Sequence, residues 1–200
     1  LKSQGPDATF LAVGAQKSLR LDVPGVELDG VMHGVEFLRA VSLDEETHVG
    51  RRVAVIGGGD VAMDVAQTAL RLGAEHVMIL YRRTEEEMPA HAEERISAEE
   101  EGIEFHWLTT PVEILDDGDG DVRAMRCLKM ELGEPDDSGR RRPIPVEGSE
   151  FEFECDMVVY AIGTNPNPII GQTSKLKLNQ WGYIETGEDF ATSMAGVFAG

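Results

Sequence analysis

The stretch from Arg51 to Arg83, RRVAVIGGGDVAMDVAQTALRLGAEHVMILYRR, constrains the fold more than any other part of the chain. Val53 to Ile56 form a short apolar run, Gly57, Gly58 and Gly59 interrupt it, and apolar residues then recur at helical spacing up to Gly73. Val77 to Leu80 form a second apolar run. Strand, glycine turn, helix and strand in this order predict a dinucleotide-binding βαβ unit. Gly57 permits the tight turn, Gly59 lets a ligand pyrophosphate approach the backbone, and Ala62 at the third position keeps the helix close to the sheet. Unpaired N–H groups at the helix start, together with the helix dipole, favour the phosphates.

A glycine turn alone is a weak signal, so the residues at the end of the second strand matter. An acidic residue there accepts the ribose 2′-hydroxyl of NAD. This chain instead has Arg82 and Arg83. A guanidinium cannot accept a hydroxyl proton but binds a 2′-phosphate in bidentate fashion, which predicts NADP(H) over NAD(H). The bland alternative is a pair of solvated cations at a strand end. Asp60 suits the N-cap of the helix, a role worth about 1 kcal/mol, yet it places an anion beside a phosphate site.

Composition excludes several classes. With 37 acidic against 18 basic residues, the net charge of −19 argues against nucleic-acid or anionic-membrane surfaces. The absence of a long apolar run or leader peptide pattern predicts a cytoplasmic protein without membrane insertion. Cys127 and Cys155 each sit in an apolar segment, read as reduced core thiols; they make no C-x-x-C pair and no metal or cluster ligand set. The termini look cut, since Leu1 is not methionine and Gly200 follows an apolar run directly. The chain is therefore expected to be a piece of a longer polypeptide.

Elsewhere, Ala8 to Val13 reads as a strand closed by Gly14, Gln16 to Ser18 as a lead into a turn, and Val35 to Val41 as a helix. After Met88-Pro89 a helix is expected from His91 to Glu101, with Glu93, Glu94, Glu99 and Glu100 on a solvated face. Ile103 to Thr109, Val112 to Leu115, Val122 to Leu132 and Ser149 to Cys155 read as closely spaced strands of an antiparallel meander. DDGDGD is a hairpin turn rather than a calcium loop, because it lacks the downstream bidentate glutamate. GEPDDSGRRRP reads as a polar loop in which Arg140, Arg141 and Arg142 form a solvated cluster. Met157 to Gly163 is an apolar strand ending in glycine, Lys177–Leu178 and Tyr183–Ile184 flank a hairpin, and Gly196 to Gly200 is the last strand. The expected fold class is α/β, Rossmann-like, with a parallel sheet, helices and an antiparallel β-meander.

The segments LAVGAQKSLRLDVPG, VIGGGDVAMD, YRRTEEEMPA, EEEGIEF with LTTPVEIL, and VVYAIGTNPNP together resemble flavoprotein reductases of the pyridine nucleotide-disulfide oxidoreductase type. The chain is most similar to the small, NADPH-oxidising subunit of glutamate synthase and its relatives of the sulfide dehydrogenase, dihydropyrimidine dehydrogenase and ferredoxin-NADP transhydrogenase kinds. The resemblance implies the three-layer FAD/NAD(P)-binding form of the Rossmann-like fold, with an FAD domain split by an inserted NADP(H) domain: partial FAD segments at 1–42 and 158–200, and the NADP(H)-binding domain at 43–157. It implies Gly57, Gly58, Gly59, Asp60, Val61, Ala62, Arg82, Arg83, Ala161, Ile162 and Gly163 as cofactor-binding positions, with no catalytic acid or base and no metal ligand. His91 stands where the pattern has arginine.

The implied function is passage of a hydride from NADPH to FAD for onward electron transfer, the cofactors supplying the chemistry. The implied partner is a redox subunit, such as a glutamate synthase large subunit or an iron–sulfur protein. Iron–sulfur clusters are expected only in partners or in segments outside this sequence. The FAD site is expected to be incomplete here, leaving the fragment alone inactive. Two alternatives stand beside this reading: a catalytically silent NADP(H)-binding or subunit-docking domain, and the electron-input subunit of a sulfide dehydrogenase, transhydrogenase, formate dehydrogenase or hydrogenase. Thioredoxin reductase chemistry is excluded by the lack of C-x-x-C.

Overall fold

The fold comes from a computed structural model that describes residues 7–15, 17–136 and 139–200. The start of the first expected FAD segment (1–6), Gln16 of the expected turn and residues 137–138 of the expected polar loop lie outside the described residues. In chain order, β1 (Thr9–Leu11) and β2 (Lys17–Ser18) precede β3 (Val31–His33) and α1 (Gly34–Ser42). The βαβ unit comes next as β4 (Arg52–Ile56), α2 (Asp60–Arg71) and β5 (His76–Tyr81). A 3-10 turn (Glu85–Glu87) and α3 (Ala92–Glu100) lead to β6 (Glu104–Trp107). Then come β7 (Thr109–Asp116), β8 (Val122–Pro135), β9 (Arg141–Pro145), β10 (Phe151–Glu154) and β11 (Met157–Tyr160). The chain closes with β12 (Thr164–Asn165), α4 (Ile169–Thr173) and β13 (Val197–Ala199).

Two compact units emerge: Arg20–Gly163, and Leu1–Leu19 with Thr164–Gly200. The larger one is built on a parallel sheet in the order β3-β11-β4-β5-β6. Its central strands are apolar at nearly every position because both faces are covered. Val53, Val55, Val77, Ile79 and Val159 pack with Phe37, Met63, Val65 and Ala98 of the helices. Their neighbours Ala54, Ile56, Met78, Leu80 and Val158 pack with Ile114, Met125 and Cys127 of an antiparallel sheet. The period-two alternation of a strand thus feeds two cores at once, which makes three layers. The antiparallel layer has the order β10-β8-β7, and the far end of β8 pairs with β9.

These packing boundaries differ from the sequence expectation of 42/43 and 157/158. Residues 20–42 and 158–163 join the larger unit because β3 and β11 are strands of its parallel sheet, and α1 covers them through buried Phe37. The buried face of helix α2 does not follow polarity alone. Val61 stays 38% exposed, while Met63 and Gln67 are buried, the latter because its amide donates to Glu101 at 2.7 Å. On α3, Glu93, Glu94, Glu99 and Glu100 are exposed as expected, and Gly102 ends the helix with a φ of +94°.

The expected polar loop contains a strand. β9 runs through Arg141–Pro145 and, among the described residues, pairs only with β8, Glu131 opposite Ile144. Pro143 and Pro145 are tolerated because an edge strand does not need every N–H. The aspartate-glycine run is a turn whose carboxylates serve its own backbone: Asp117 accepts the N–H groups of Asp119 (2.9 Å) and Asp121 (3.3 Å). Cys127 and Cys155 are free and buried, and burial pushes both thiols up to about 12.

In the smaller unit β1 lies parallel to β13, Phe10 opposite Phe198, and β2 lies antiparallel to β12. Lys17 and Ser18 therefore belong to a strand instead of a turn. The hairpin around Trp181 is closed by a single bridge, Leu178 to Ile184, and its turn is held by Asn179, whose Oδ1 accepts the N–H groups of Trp181 and Tyr183, both at 3.0 Å.

Candidate functional site

The glycine turn lies at the C-terminal end of β4, where β4 has β11 on one side and β5 on the other. Gly57 N–H donates to the Leu80 carbonyl at 3.1 Å, and Ala161 N–H donates to the Ile56 carbonyl at 2.7 Å. The turn is thereby pinned to both neighbouring strands. At Gly57 φ is +145°, and a Cβ would stand 2.3 Å from the Ala161 carbonyl oxygen. At Gly58 a Cβ would strike the Tyr81 ring at 2.5 Å. Gly59 differs: a Cβ there would meet nothing within 4 Å. Two glycines are required by the protein, whereas the third faces open space.

Gly59 is the N-cap of α2, with no side-chain cap. A helix start without a cap leaves N–H groups for a ligand, and the positive end of the dipole favours an anion. Ala62 is fully buried, so the first turn of α2 sits tightly on the sheet, while Asp60 and Val61 are exposed. Ala161 is half-buried beside the turn; Ile162 and the exposed Gly163 continue the chain beyond β11. This arrangement fits a dinucleotide pyrophosphate.

Asp60 does not cap α2, as the sequence had suggested; it is that helix's first residue. Its Oδ1 accepts the His91 backbone N–H at 3.1 Å, and His91 Nδ1 lies 3.1 Å from both carboxylate oxygens. His91 is in turn the N-cap of α3. The carboxylate is thus engaged at the start of a different helix, yet it stays ionised beside the glycine turn and still opposes an anion there. The His91 N–H, followed by its imidazole, holds the Asp60 carboxyl below its ordinary range.

The two arginines after β5 part company. Arg82 is exposed, and Arg83 is only 4% exposed. Arg83 Nε donates to the Arg141 carbonyl at 2.7 Å, and an Arg83 Nη donates to Asp136 at 2.6 Å. Arg141 is not simply solvated. Its Nε donates to the buried Glu87 at 2.6 Å, and its guanidinium lies 3.6 Å from Glu86. Glu87 also accepts from the N–H and the hydroxyl of Thr84, while its carbonyl accepts the Tyr81 hydroxyl at 2.8 Å. Tyr81 is the residue beneath Gly58, and Gly58 O accepts the Ala90 N–H at 3.0 Å. Glycine turn, residues 81–91 and strand β9 therefore form one connected frame. Sequence reading missed Tyr81, Glu87, Ala90, Asp136 and Arg141, since none of these pairings can be read from spacing along the chain.

Burial is the largest single influence on Glu87 and pushes its carboxyl up. The bonds from Thr84 and Arg141 together outweigh it and hold the group below its ordinary value of 4.5. A lowered carboxyl stabilises the fold above its unfolded value and loses that contribution as pH falls through the folded value. Glu87→Gln is therefore expected to be less stable than wild type at neutral pH and to lose less stability between about pH 5 and pH 3. Thermal unfolding measured across that range checks it; parallel curves for the two proteins would contradict the assignment.

Among the described residues no cluster of histidine, cysteine and acidic groups is arranged for a metal ion, and no helix is long and apolar enough to cross a membrane.

Residues 3–200 match the family described as pyridine nucleotide-disulphide oxidoreductase. The NADP(+)-dependent formate dehydrogenase subunit beta of Moorella thermoacetica is 46% identical, over 97% of this chain and 28% of its own length. The glutamate synthase [NADPH] small chain of Escherichia coli is 39% identical, over 97% of this chain and 44% of its own. The chain thus spans less than half of either relative. Among solved structures, Mycobacterium tuberculosis FprA in complex with NADPH matches with a TM-score of 0.78 at 21% identity, covering 99% of this chain and 58% of that one. That likeness shows a shared fold. Family match, sequence identity and the glycine turn at an uncapped helix agree, and the chain belongs to the pyridine nucleotide-disulphide oxidoreductase family.

Proposed function

We propose that this chain is the NADP(H)-binding portion of a flavin-dependent oxidoreductase in which NADPH delivers a hydride to FAD for onward electron transfer. The observation that carries the reading is the pairing of open space at Gly59 on an uncapped helix start with an exposed Arg82 at the end of the adjacent strand. Gly57, Gly58 and Gly59 with the first turn of α2, Asp60 to Ala62, cradle the pyrophosphate. Arg82 and Arg83 take the 2′-phosphate, and Ala161, Ile162 and Gly163 border the site beyond β11. No side chain acts as acid or base. The chain's residues position the nucleotide, and the reactivity lies in the cofactors.

Residues 43–157 carry the NADP(H) part, with 20–42 and 158–163 packed onto the same sheet, and the outer segments belong to the FAD part of the full-length protein. The electrons leave through a redox partner subunit, and the setting is cytoplasmic. The motifs favour a partner of the glutamate synthase large-subunit kind. A second reading, electron input to a formate dehydrogenase, is supported by the higher identity to that enzyme's beta subunit, 46% against 39%. Mass spectrometry of the complex purified with the intact protein distinguishes the two.

The primary test is anaerobic titration of the intact protein. NADPH is expected to bleach the flavin absorbance stoichiometrically and NADH to do so only at far higher concentration. Nucleotide binding without bleaching would instead leave a silent docking domain.

A further inference from the structure

The strand end that carries Arg82 and Arg83 is not free to meet a 2′-phosphate on equal terms. Arg83 is 4% exposed and already held by an anion of the protein itself. That anion, Asp136, stands beyond the last residue of β8, and its backbone N–H donates to the Arg140 carbonyl at 2.7 Å. It reaches Arg83 at 2.6 Å, while the Arg141 carbonyl, from the first residue of β9, takes the same guanidinium at 2.7 Å. The side chain of Asp136 is 24% exposed, so the pair sits at the boundary between interior and solvent. In that position charges interact more strongly than in open water.

We infer that Asp136 is a specificity-determining residue that competes with the nucleotide 2′-phosphate for the Arg83 guanidinium. This rests on the proposal that Arg82 and Arg83 are the 2′-phosphate site. A guanidinium has five N–H donors in a planar fork, so a phosphate arriving at Arg83 meets a carboxylate bonded to the same fork. The phosphate and the Asp136 carboxylate are like charges, and each disfavours the other near one cation.

Two other cations of the frame are already engaged by carboxylates. Arg141 spends its guanidinium on Glu87 and Glu86. Arg95 is paired with Glu85 on the adjoining 3-10 turn. Arg82 is the exposed cation of the pair and makes the first contact, with Arg83 gained only as Asp136 gives way. The carboxylate thereby sets how much the 2′-phosphate adds to affinity. NAD(H), which lacks this phosphate, is indifferent to it.

Calorimetric titration of the intact protein with NADP+ and NAD+ tests the inference. Asp136→Asn keeps the shape and a hydrogen-bonding oxygen but removes the charge. The dissociation constant for NADP+ is expected to fall roughly threefold to tenfold, with that for NAD+ unchanged. Unchanged or weaker NADP+ binding by a folded variant overturns the inference, and so does an equal gain for both nucleotides. Should the variant not fold, hydrogen exchange of the wild type decides: the Asp136 N–H is expected to exchange faster with NADP+ bound than with NAD+ bound, and equal or slower exchange overturns the idea. Wild-type protein that binds the two nucleotides equally would sink the underlying 2′-phosphate reading, whereas a wild-type preference for NADP+ that Asp136→Asn leaves unaltered sinks the competition alone.

Discussion

Gly57→Ala is expected to abolish NADP+ binding and to destabilise the protein by about 2–4 kcal/mol. The added methyl would stand 2.3 Å from a backbone oxygen, that of Ala161, and 2.9 Å from its carbonyl carbon. Neither atom can rotate away as a side chain would. Ala161 is fixed by its own N–H bond to Ile56, and β11 and β4 pair from Met157–Val53 to Tyr160–Ile56. A φ of +145° adds strain for any residue with a Cβ. The only escape is a shift of the glycine turn, which moves the start of α2. Gly59→Ala separates binding from folding, because its methyl meets no protein atom and its φ of −98° suits alanine. That variant is expected to lose no more than about 1 kcal/mol, because alanine starts a helix less well than glycine, and yet to bind NADP+ at least about tenfold more weakly, the methyl occupying space the pyrophosphate needs. Melting curves and NADP+ titrations of both variants check this; normal binding by Gly59→Ala would remove the turn from the nucleotide site.

Single alanine substitutions of Arg82 and Arg83 are expected to differ in kind. Arg82→Ala removes an exposed cation and should cost NADP+ affinity about tenfold or more, with little change in thermal stability or in NAD+ binding. Arg83→Ala removes the cationic partner of Asp136 and the donor to the Arg141 carbonyl. Breaking a buried pair costs about 3–5 kcal/mol, and the partial exposure of Asp136 brings the expected loss to about 2–3 kcal/mol. The double variant should no longer prefer NADP+ over NAD+. Identical stability of the two single variants, or a retained preference in the double one, would contradict the assignment.

The contrast between these two residues also marks where sequence reading reaches its limit. Arg82 and Arg83 are adjacent and chemically identical, so nothing local separates them. Their difference is made by Asp136 and Arg141, more than fifty residues downstream. The βαβ unit was legible because its signals are local: an apolar run, glycines at fixed offsets and a helical period. The antiparallel meander was legible from the closely spaced strand pattern after Trp107, while the three-layer stacking was implied by the family resemblance. Asp60 looked like a cap for its own helix because capping residues are recognised by position relative to one helix. In the folded chain it serves His91 at the start of another. β9 looked like a loop since prolines and arginines rarely sit inside a sheet, but an edge strand accepts both.

The place of β11 in the sheet bears on how the molecule is made. β11 lies between β3 and β4, yet it comes after β4 by about a hundred residues of sequence. On the ribosome the βαβ unit, α3 and β6 emerge first with one long edge of β4 unpaired, and the antiparallel layer must be synthesised before that edge is filled. Non-local pairing of this kind slows folding, and an open apolar edge invites association with other chains. The glycine turn shares this timing, since the Ala161 carbonyl packed against Gly57 follows directly on the same late strand. Under the proposed function, competence to bind a dinucleotide is therefore acquired only after β11 has been made and the centre of the sheet closes.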